Sequence, residues 1–158
     1  MDRYAAVDLD SPIGRLRLSG SDSGLRSLTI GRDHRRWRAD RHALLDAGVR
    51  ALQRYFAGEP LPVDLPLDLG ELTAFRRAVS LALRARVPAG TVVSYGDLAA
   101  LVGRPRAARA VGRVMATNPL PIFIPCHRVV GSNGPGGFGP GLRCKRQLLR
   151  IEGAKLPR

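Results

Sequence analysis

The chain has 158 residues, 44% of them hydrophobic and 25% charged, enough for one globular domain or for two small ones. Two cysteines exclude a disulfide framework, no apolar run approaches membrane-spanning length, and no N-terminal stretch reads as a signal peptide. A cytoplasmic, reduced protein with no membrane partner is expected. The net charge of +13 is unevenly placed: residues 1–70 hold 11 Arg against 10 acids, whereas residues 71–158 hold 13 Arg and 2 Lys against only Glu71, Asp97 and Glu152. The second half is therefore a candidate for binding a polyanion, nucleic acid foremost.

In chain order, residues 4–30 predict a small antiparallel meander with one buried face. Val7 and Leu9 alternate with polar residues up to the turn signal Asp10-Ser11-Pro12-Ile13-Gly14. Alternation resumes in Arg15-Leu16-Arg17-Leu18 and, less strictly, from Leu25 to Ile30. Residues 40–57 predict an amphipathic helix carrying Leu44, Leu45, Leu52, Tyr55 and Phe56, stopped at Gly58. Pro60, Pro62 and Pro66 then impose an extended linker, and a boundary near Gly70 divides the chain into domains 1–70 and 71–158. Leu72, Phe75, Val79 and Leu83 form one apolar stripe, which predicts a helix over 72–86. Ser94-Tyr95-Gly96-Asp97 is a capping-box-like start for a short helix that Gly103 stops. Pro105 suits the first turn of another helix, running to about Thr117. Two short helices around a Gly-containing turn make a helix-turn-helix candidate. On the second of them Arg106, Arg109 and Arg113 share a face, while Ala107, Ala110, Val111 and Val114 lie toward another; its alanines and Gly112 keep it slim. Helical hairpins and arginine stripes also occur without nucleic acid, and it is the basic second half that tips this one toward DNA. The fold class expected is α/β in the α+β sense: an antiparallel-sheet domain followed by a mostly helical one.

The chemistry concentrates in Pro125-Cys126-His127-Arg128-Val129. Cysteine is the strongest side-chain nucleophile at neutral pH, and a nearby imidazole can take its proton. The apolar run Ile122-Phe123-Ile124, bracketed by Pro121 and Pro125, reads as a short buried strand end. Successive side chains of a strand point to opposite faces, so either the backbone turns at Cys126 or a water carries the proton to His127. A glycine-rich loop, Gly134 to Gly141, follows. It lacks the Gly-Lys-Ser/Thr ending of a phosphate loop, and its glycines suit close backbone approach to a ligand. A helix from Leu142 to Ile151, closed by Gly153, completes the chain. His34, His42, His127, Cys126 and Cys144 have no zinc spacing, so no metal and no cofactor is expected. Cys144, between Arg143 and Lys145 at a helix start, has neighbours that lower a thiol pKa, though an ordinary packed thiol is the commoner case. Glu152 ends the last helix, where a carboxylate opposes the dipole, which suggests a task for it.

With those residues in view, the chain resembles the O6-alkylguanine-DNA alkyltransferases. The matching segments are Val93-Ser94-Tyr95-Gly96, Ala107 to Gly112, Asn118-Pro119, Ile124 to Val129 and Leu148 to Gly153, in family order. The resemblance implies an N-terminal α/β domain and a helical C-terminal domain with a helix-turn-helix. It implies transfer of an alkyl group from O6-alkylguanine in double-stranded DNA to Cys126, once per molecule, after the base is flipped out. His127 would activate the thiol through a water and Glu152 would orient His127. Asn118 would bridge the helix-turn-helix to the active-site turn. Tyr95 would aid extrusion and hydrogen-bond the base, and Arg109 would fill the gap left in the duplex. Arg106, Arg113, Arg128, Ala107, Ala108, Ala110 and Gly112 would meet DNA, and Val129, Phe138 and Gly139 would line the base pocket. A monomer is expected, with cooperative loading on DNA left open. The loop Phe138-Gly139-Pro140-Gly141-Leu142 departs from the family's usual Tyr and Gly-Gly-Leu, which bears on alkyl-group preference, and Arg113 and Val114 replace smaller residues. Two other classes compete: a cysteine hydrolase using Cys126, His127 and Glu152, and a helix-turn-helix regulator with a structural cysteine.

Overall fold

The computed structural model describes residues 4–31 and 42–156. The chain divides into two compact units, Met1–Gly70 and Glu71–Arg158. The first carries strands β1 (Ala5–Leu9), β2 (Leu16–Ser21) and β3 (Gly24–Ile30) and helix α1 (Ala43–Phe56). The strands form an antiparallel meander in the order β1-β2-β3, with Leu9 opposite Leu16 and Leu18 opposite Leu28. The alternation read from sequence is real: Leu16 and Leu18 are fully buried, and Arg17 between them turns the other way to hold Asp8 of β1 through two hydrogen bonds of 2.7 and 2.9 Å. Helix α1 packs on the sheet with Leu45, Gly48, Ala51, Leu52 and Tyr55 buried. Residues 40 and 41 of the helix expected over 40–57 lie outside the described residues, as does His34. The proline-punctuated linker is not idle, because Leu25 N donates to Pro66 O and Asp68 N to Leu25 O.

The second unit holds α2 (Ala74–Arg86), β4 (Val93–Ser94), α3 (Tyr95–Leu101), α4 (Ala108–Ala116), a single 3-10 turn (Cys126–Arg128), β5 (Val129–Val130) and α5 (Leu142–Ile151). Thr73 caps α2 by accepting from Arg76 N, and Val79 and Leu83 of the expected stripe are fully buried. Ser94 caps α3 by accepting from Asp97 N, as the motif predicted. Helices α3 and α4 pack against each other and both against α2. The two-residue strands β4 and β5 pair in parallel, Val93 with Val129 and Ser94 with Val130. That pairing sets the start of α3 beside the Cys-His turn.

Two expectations need correction. Pro105 does not open α4: Ala107 N donates to Arg104 O, so Pro105 and Arg106 are the centre of a tight turn and α4 begins at Ala108. Proline's fixed φ suits the second position of such a turn as well as a first helical turn, so sequence alone does not separate the two. Arg106 is thus off the helix, and the helical face retains Arg109 and Arg113, both exposed. Second, the run before Cys126 is no strand. Ile122 stands at φ +75, Ile124 N donates to Leu120 O, and the chain coils through buried turns into the 3-10 turn. Its apolar content signalled burial and said nothing of extension.

The first unit offers a steric test. A Cβ on Gly24 would lie 2.4 Å from Asp68 N, a backbone atom held by the Leu25–Leu67 bridge, with no flexible side chain to move aside. Gly24→Ala is therefore expected to cost about 1–3 kcal/mol, read as a lower denaturant midpoint at unchanged slope. An unchanged midpoint would show that the linker shifts freely.

Candidate active site

Residues 121–130 are buried without a break. Asn118, just after α4, holds the approach to this segment: its side-chain amide donates to Ile124 O at 2.8 Å and its carbonyl accepts from Leu120 N at 3.0 Å. The carboxamide so closes a turn whose Ile122 sits in the left-handed region, costly for a β-branched residue. The turn then delivers Cys126 and His127 on one 3-10 helix, where adjacent side chains diverge by about 120°. The backbone does turn at Cys126, yet the two side chains still diverge, so the turn by itself does not bring thiol and imidazole into contact.

Cys126 is 6% exposed and forms part of the wall of a cavity of about 160 Å³, with Tyr95, Gly112, Met115, Ala116, Gly137, Phe138 and Gly139. Burial pushes its thiol pKa up; hydrogen bonds from the Asn118 side chain and the local backbone, and the positive charge of Lys145, pull the other way without cancelling it. At rest the group is a thiol. Tyr95 comes from the first turn of α3, and its hydroxyl accepts from Gly137 N at 3.3 Å, leaving its own hydrogen to donate. Gly136, at φ +69, passes so close to that ring that a Cβ there would meet the Tyr95 hydroxyl at 2.7 Å.

His127 points away from the cavity into the core and is fully buried. Its Nε2 lies 2.6 Å from Glu152 Oε1, so the neutral ring carries its proton on Nε2 and donates to the carboxylate. Nδ1 is buried and has no hydrogen-bond partner among the described residues. Burial lowers the His127 pKa, the Glu152 bond and charge offset part of this, and the Arg128 and Lys145 charges lower it further. Glu152, the C-cap of α5, has a side chain only 2% exposed. Burial pushes its carboxyl up, but bonds from His127 and Arg128 and their charges outweigh this and hold it at about 2.

Arg128 is not where a phosphate contact would be. It is 8% exposed, its Nε and Nη2 each donate to Glu152 at 2.9 Å, and Nη1 donates to Val87 O at 2.7 Å. A guanidinium so occupied is withdrawn from the DNA surface that the sequence reading gave it. Val129, expected to line the base pocket, is fully buried, outside the cavity wall, and its carbonyl is taken by Lys145. Cys144 has its thiol pushed up to about 11, by burial and by the neighbouring Cys126, rather than lowered by its basic neighbours. Burial outweighs sequence proximity there.

Lys145 was missed from the sequence. It is fully buried on α5, and its ammonium donates to Val129 O at 2.7 Å, Pro135 O at 2.7 Å and Gly137 O at 3.1 Å. Burial lowers its pKa to about 8. A signal was available: it is one of two lysines among 26 basic residues, and it falls on the apolar stripe with Cys144, Leu148 and Leu149. Met115 and Ala116 also line the cavity, carried there by the last turn of α4. No group of three or more His, Cys, Asp or Glu side chains able to hold a metal occurs among the described residues.

Fold and site together define a thiol-centred protein built on a helix-turn-helix. Residues 74–154 match the DNA-binding domain of 6-O-methylguanine DNA methyltransferase, and residues 4–69 match the ribonuclease-like domain of the same proteins. The chain belongs to the 6-O-methylguanine DNA methyltransferase family. It is 42% identical over 157 residues to the methylated-DNA–protein-cysteine methyltransferase of Mycobacterium tuberculosis, covering 94% of this chain and 92% of that one. It is 37% identical to the protein of that name from Methanosarcina acetivorans, covering 96% and 99%. Its structure is similar to the crystal structure of the M. tuberculosis OGT in complex with DNA, with a TM-score of 0.81 over 92% of this chain and 91% of that one.

The Glu152 carboxyl sets an acid dependence. Its pKa in the folded state lies below the ordinary value of 4.5, so the stability it contributes is full above about pH 4.5 and is lost as pH falls toward 2. Glu152→Gln is expected to lower stability by roughly 2–3 kcal/mol at neutral pH, with the gap from wild type closing between pH 4.5 and 2 in chemical denaturation. A gap of constant size across that range would mean that the carboxylate is not ionised in the fold.

Proposed function

We propose that this chain repairs alkylated double-stranded DNA by direct reversal, with the Glu71–Arg158 unit binding the duplex and Cys126 accepting the alkyl group from O6 of a flipped guanine. The observation that carries this is the placement of the Cys126 thiol on the wall of a cavity, with a buried imidazole next in the chain whose Nδ1 is uncommitted. An O6-alkyl group lies inside the duplex, so the base must leave the stack to reach such a cavity.

In the reaction the thiol proton passes to His127 Nδ1 through one water, while Nε2–H stays on Glu152. The thiolate attacks the alkyl carbon; an S–C bond forms, the C–O bond breaks, and its electron pair goes to O6. The leaving oxyanion spreads into the purine ring, where a hydrogen bond from the Tyr95 hydroxyl stabilises it, and it takes up one proton from solvent while His127 releases to solvent the proton it took from the thiol. Asn118 holds the turn that carries the thiol. The product is a thioether, which nothing in the site is placed to cleave, so each molecule reacts once. Arg109, exposed on α4, occupies the space left by the extruded base, with Ala107, Ala108, Ala110 and Gly112 allowing close approach and Arg106 and Arg113 placed toward phosphates. Phe138 and Gly139 close the pocket over the base. No helix among the described residues is long and apolar enough to cross a membrane, so a membrane-spanning helix has no part in this reading. The protein acts as a monomer in the cytoplasm.

Incubation with duplex containing O6-methylguanine is expected to add one methyl group per chain by intact mass, located on the peptide that carries Cys126. Cys126→Ser should show no mass gain while still binding the lesion, because a hydroxyl lacks the nucleophilicity of a thiol. Label on Cys144 would overturn the assignment. Arg109→Ala is expected to slow duplex repair about tenfold or more, since extrusion costs a few kcal/mol of unstacking, yet to react with free O6-benzylguanine within about twofold of wild type. Equal loss on both substrates would place Arg109 in the fold or the pocket instead.

A further inference from the structure

Arg128 is buried beside the reacting groups, and the proton relay just described does not use it. Its three hydrogen bonds do two things. One, from Nη1 to Val87 O, fastens the catalytic turn to the end of α2. The other two, from Nε to Oε2 and from Nη2 to Oε1, clamp both oxygens of Glu152. Glu152 Oε1 is thus shared between an imidazole N–H at 2.6 Å and a guanidinium N–H at 2.9 Å.

The charge balance of this cluster decides what His127 can do. A desolvated carboxylate facing an imidazole alone draws a second proton onto the ring, and a ring with both nitrogens protonated is no base. A carboxylate already neutralised by a guanidinium exerts a much weaker pull. The other charge facing His127 is Lys145 on α5, whose ammonium protons are turned to three carbonyls and whose field also disfavours an imidazolium. From the end of α2 the Val87 carbonyl accepts from Arg128 Nη1.

We propose that Arg128 is a positioning residue that keeps His127 neutral: by clamping both oxygens of Glu152 it leaves the carboxylate able to orient the imidazole but not to draw a second proton onto it, so that Nδ1 keeps its lone pair. This rests on the reading of His127 as the base for Cys126. It assigns to Arg128 a role inside the protein in place of a phosphate contact outside it. Arginine rather than lysine suits the position, because the planar fork gives each carboxylate oxygen its own nitrogen and still has a third for the Val87 carbonyl.

Two measurements test this. First, ¹⁵N chemical shifts of His127 in the full wild-type chain free of DNA are expected to show a neutral ring protonated on Nε2 from pH 6 to 8; an imidazolium at pH 7 would overturn the proposal whatever the variants do. Second, the pH–rate profile of alkyl uptake from free O6-benzylguanine is compared for wild type, Arg128→Gln and Arg128→Lys. Arg128→Gln keeps hydrogen-bonding capacity and removes the charge; its acid limb is expected to move up by about one pH unit or more, making it about tenfold slower than wild type at pH values on that limb, with recovery at higher pH. Arg128→Lys keeps the charge and loses the clamp; its rate should fall at all pH values with the limb within about half a unit of wild type. A folded Arg128→Gln whose rate falls uniformly, with no displacement of the limb, would leave Arg128 a structural brace and overturn the proposal. Should Arg128→Gln not fold, the wild-type shifts and Arg128→Lys still decide the matter: a Lys variant with a displaced limb counts against charge as the operative property. Failure of the wild type to take up any alkyl group, with His127 neutral as expected, would overturn the reaction assigned to Cys126 and not the role of Arg128.

Discussion

An ionised carboxylate inside a protein is tolerated only when donors surround it, since burying an uncompensated charge costs several kcal/mol. Glu152 is such a group, and much of the second unit is arranged to satisfy it. Its carboxylate ends α5, where the helix dipole opposes it, yet it receives His127 from the catalytic turn and Arg128 from the next position along. Arg128 in turn reaches the last carbonyl region of α2 at Val87. One side chain thereby joins the ends of two helices to the turn that carries the thiol. Losing a single partner leaves a buried charge unmatched, which is why such a network responds to point changes more sharply than its count of bonds suggests.

The Cys126 thiol is controlled from the opposite direction. Burial keeps Cys126 protonated, and the Asn118 amide, the local N–H groups and the Lys145 charge limit that effect without reversing it. A resting thiol of this kind is a poor target for adventitious electrophiles, because the thiolate is the reactive form. Reactivity then depends on a base that is already oriented when the substrate enters. The two halves of the site are built from different materials: backbone turns and a carboxamide hold the sulfur, and a charged core holds the imidazole.

Much of this was legible in the sequence. The meander, the caps at Ser94 and Gly103 and the helix from Leu142 to Ile151 follow from local rules of alternation and capping, and these agree with the tertiary structure, whereas the linker expected to be extended turns at residues 63–65. The loss of acids after Gly70 agrees with a family whose matched domain binds DNA. What the sequence hid depends on burial. Arg128 and Lys145 look like members of a basic surface because an arginine or lysine is normally solvated, and only the fold reveals that each is enclosed by acceptors. The Ile122 run hid its turn for a related reason: apolar residues report that a segment is inside, while a left-handed β-branched residue is sustained by neighbours remote in pattern, here the Asn118 carboxamide. Pro105 hid the start of α4 because one fixed dihedral serves two different local structures.

The contact between Gly136 and the Tyr95 ring has a consequence for how such a protein diversifies. The wall of the cavity on that side is bare backbone laid against an aromatic edge, and it is suspended from Lys145 through the Pro135 and Gly137 carbonyls. The loop that lines the cavity therefore shares an anchor with the end of the Cys126 turn, since the same ammonium also holds the Val129 carbonyl. Exchanges between residues 132 and 141 that keep the Pro135 and Gly137 carbonyls within reach of Lys145 can reshape the aperture, whereas those that withdraw them also loosen the support of Val129. Room for substituents of different bulk and a fixed sulfur are in this architecture tied together through one buried lysine.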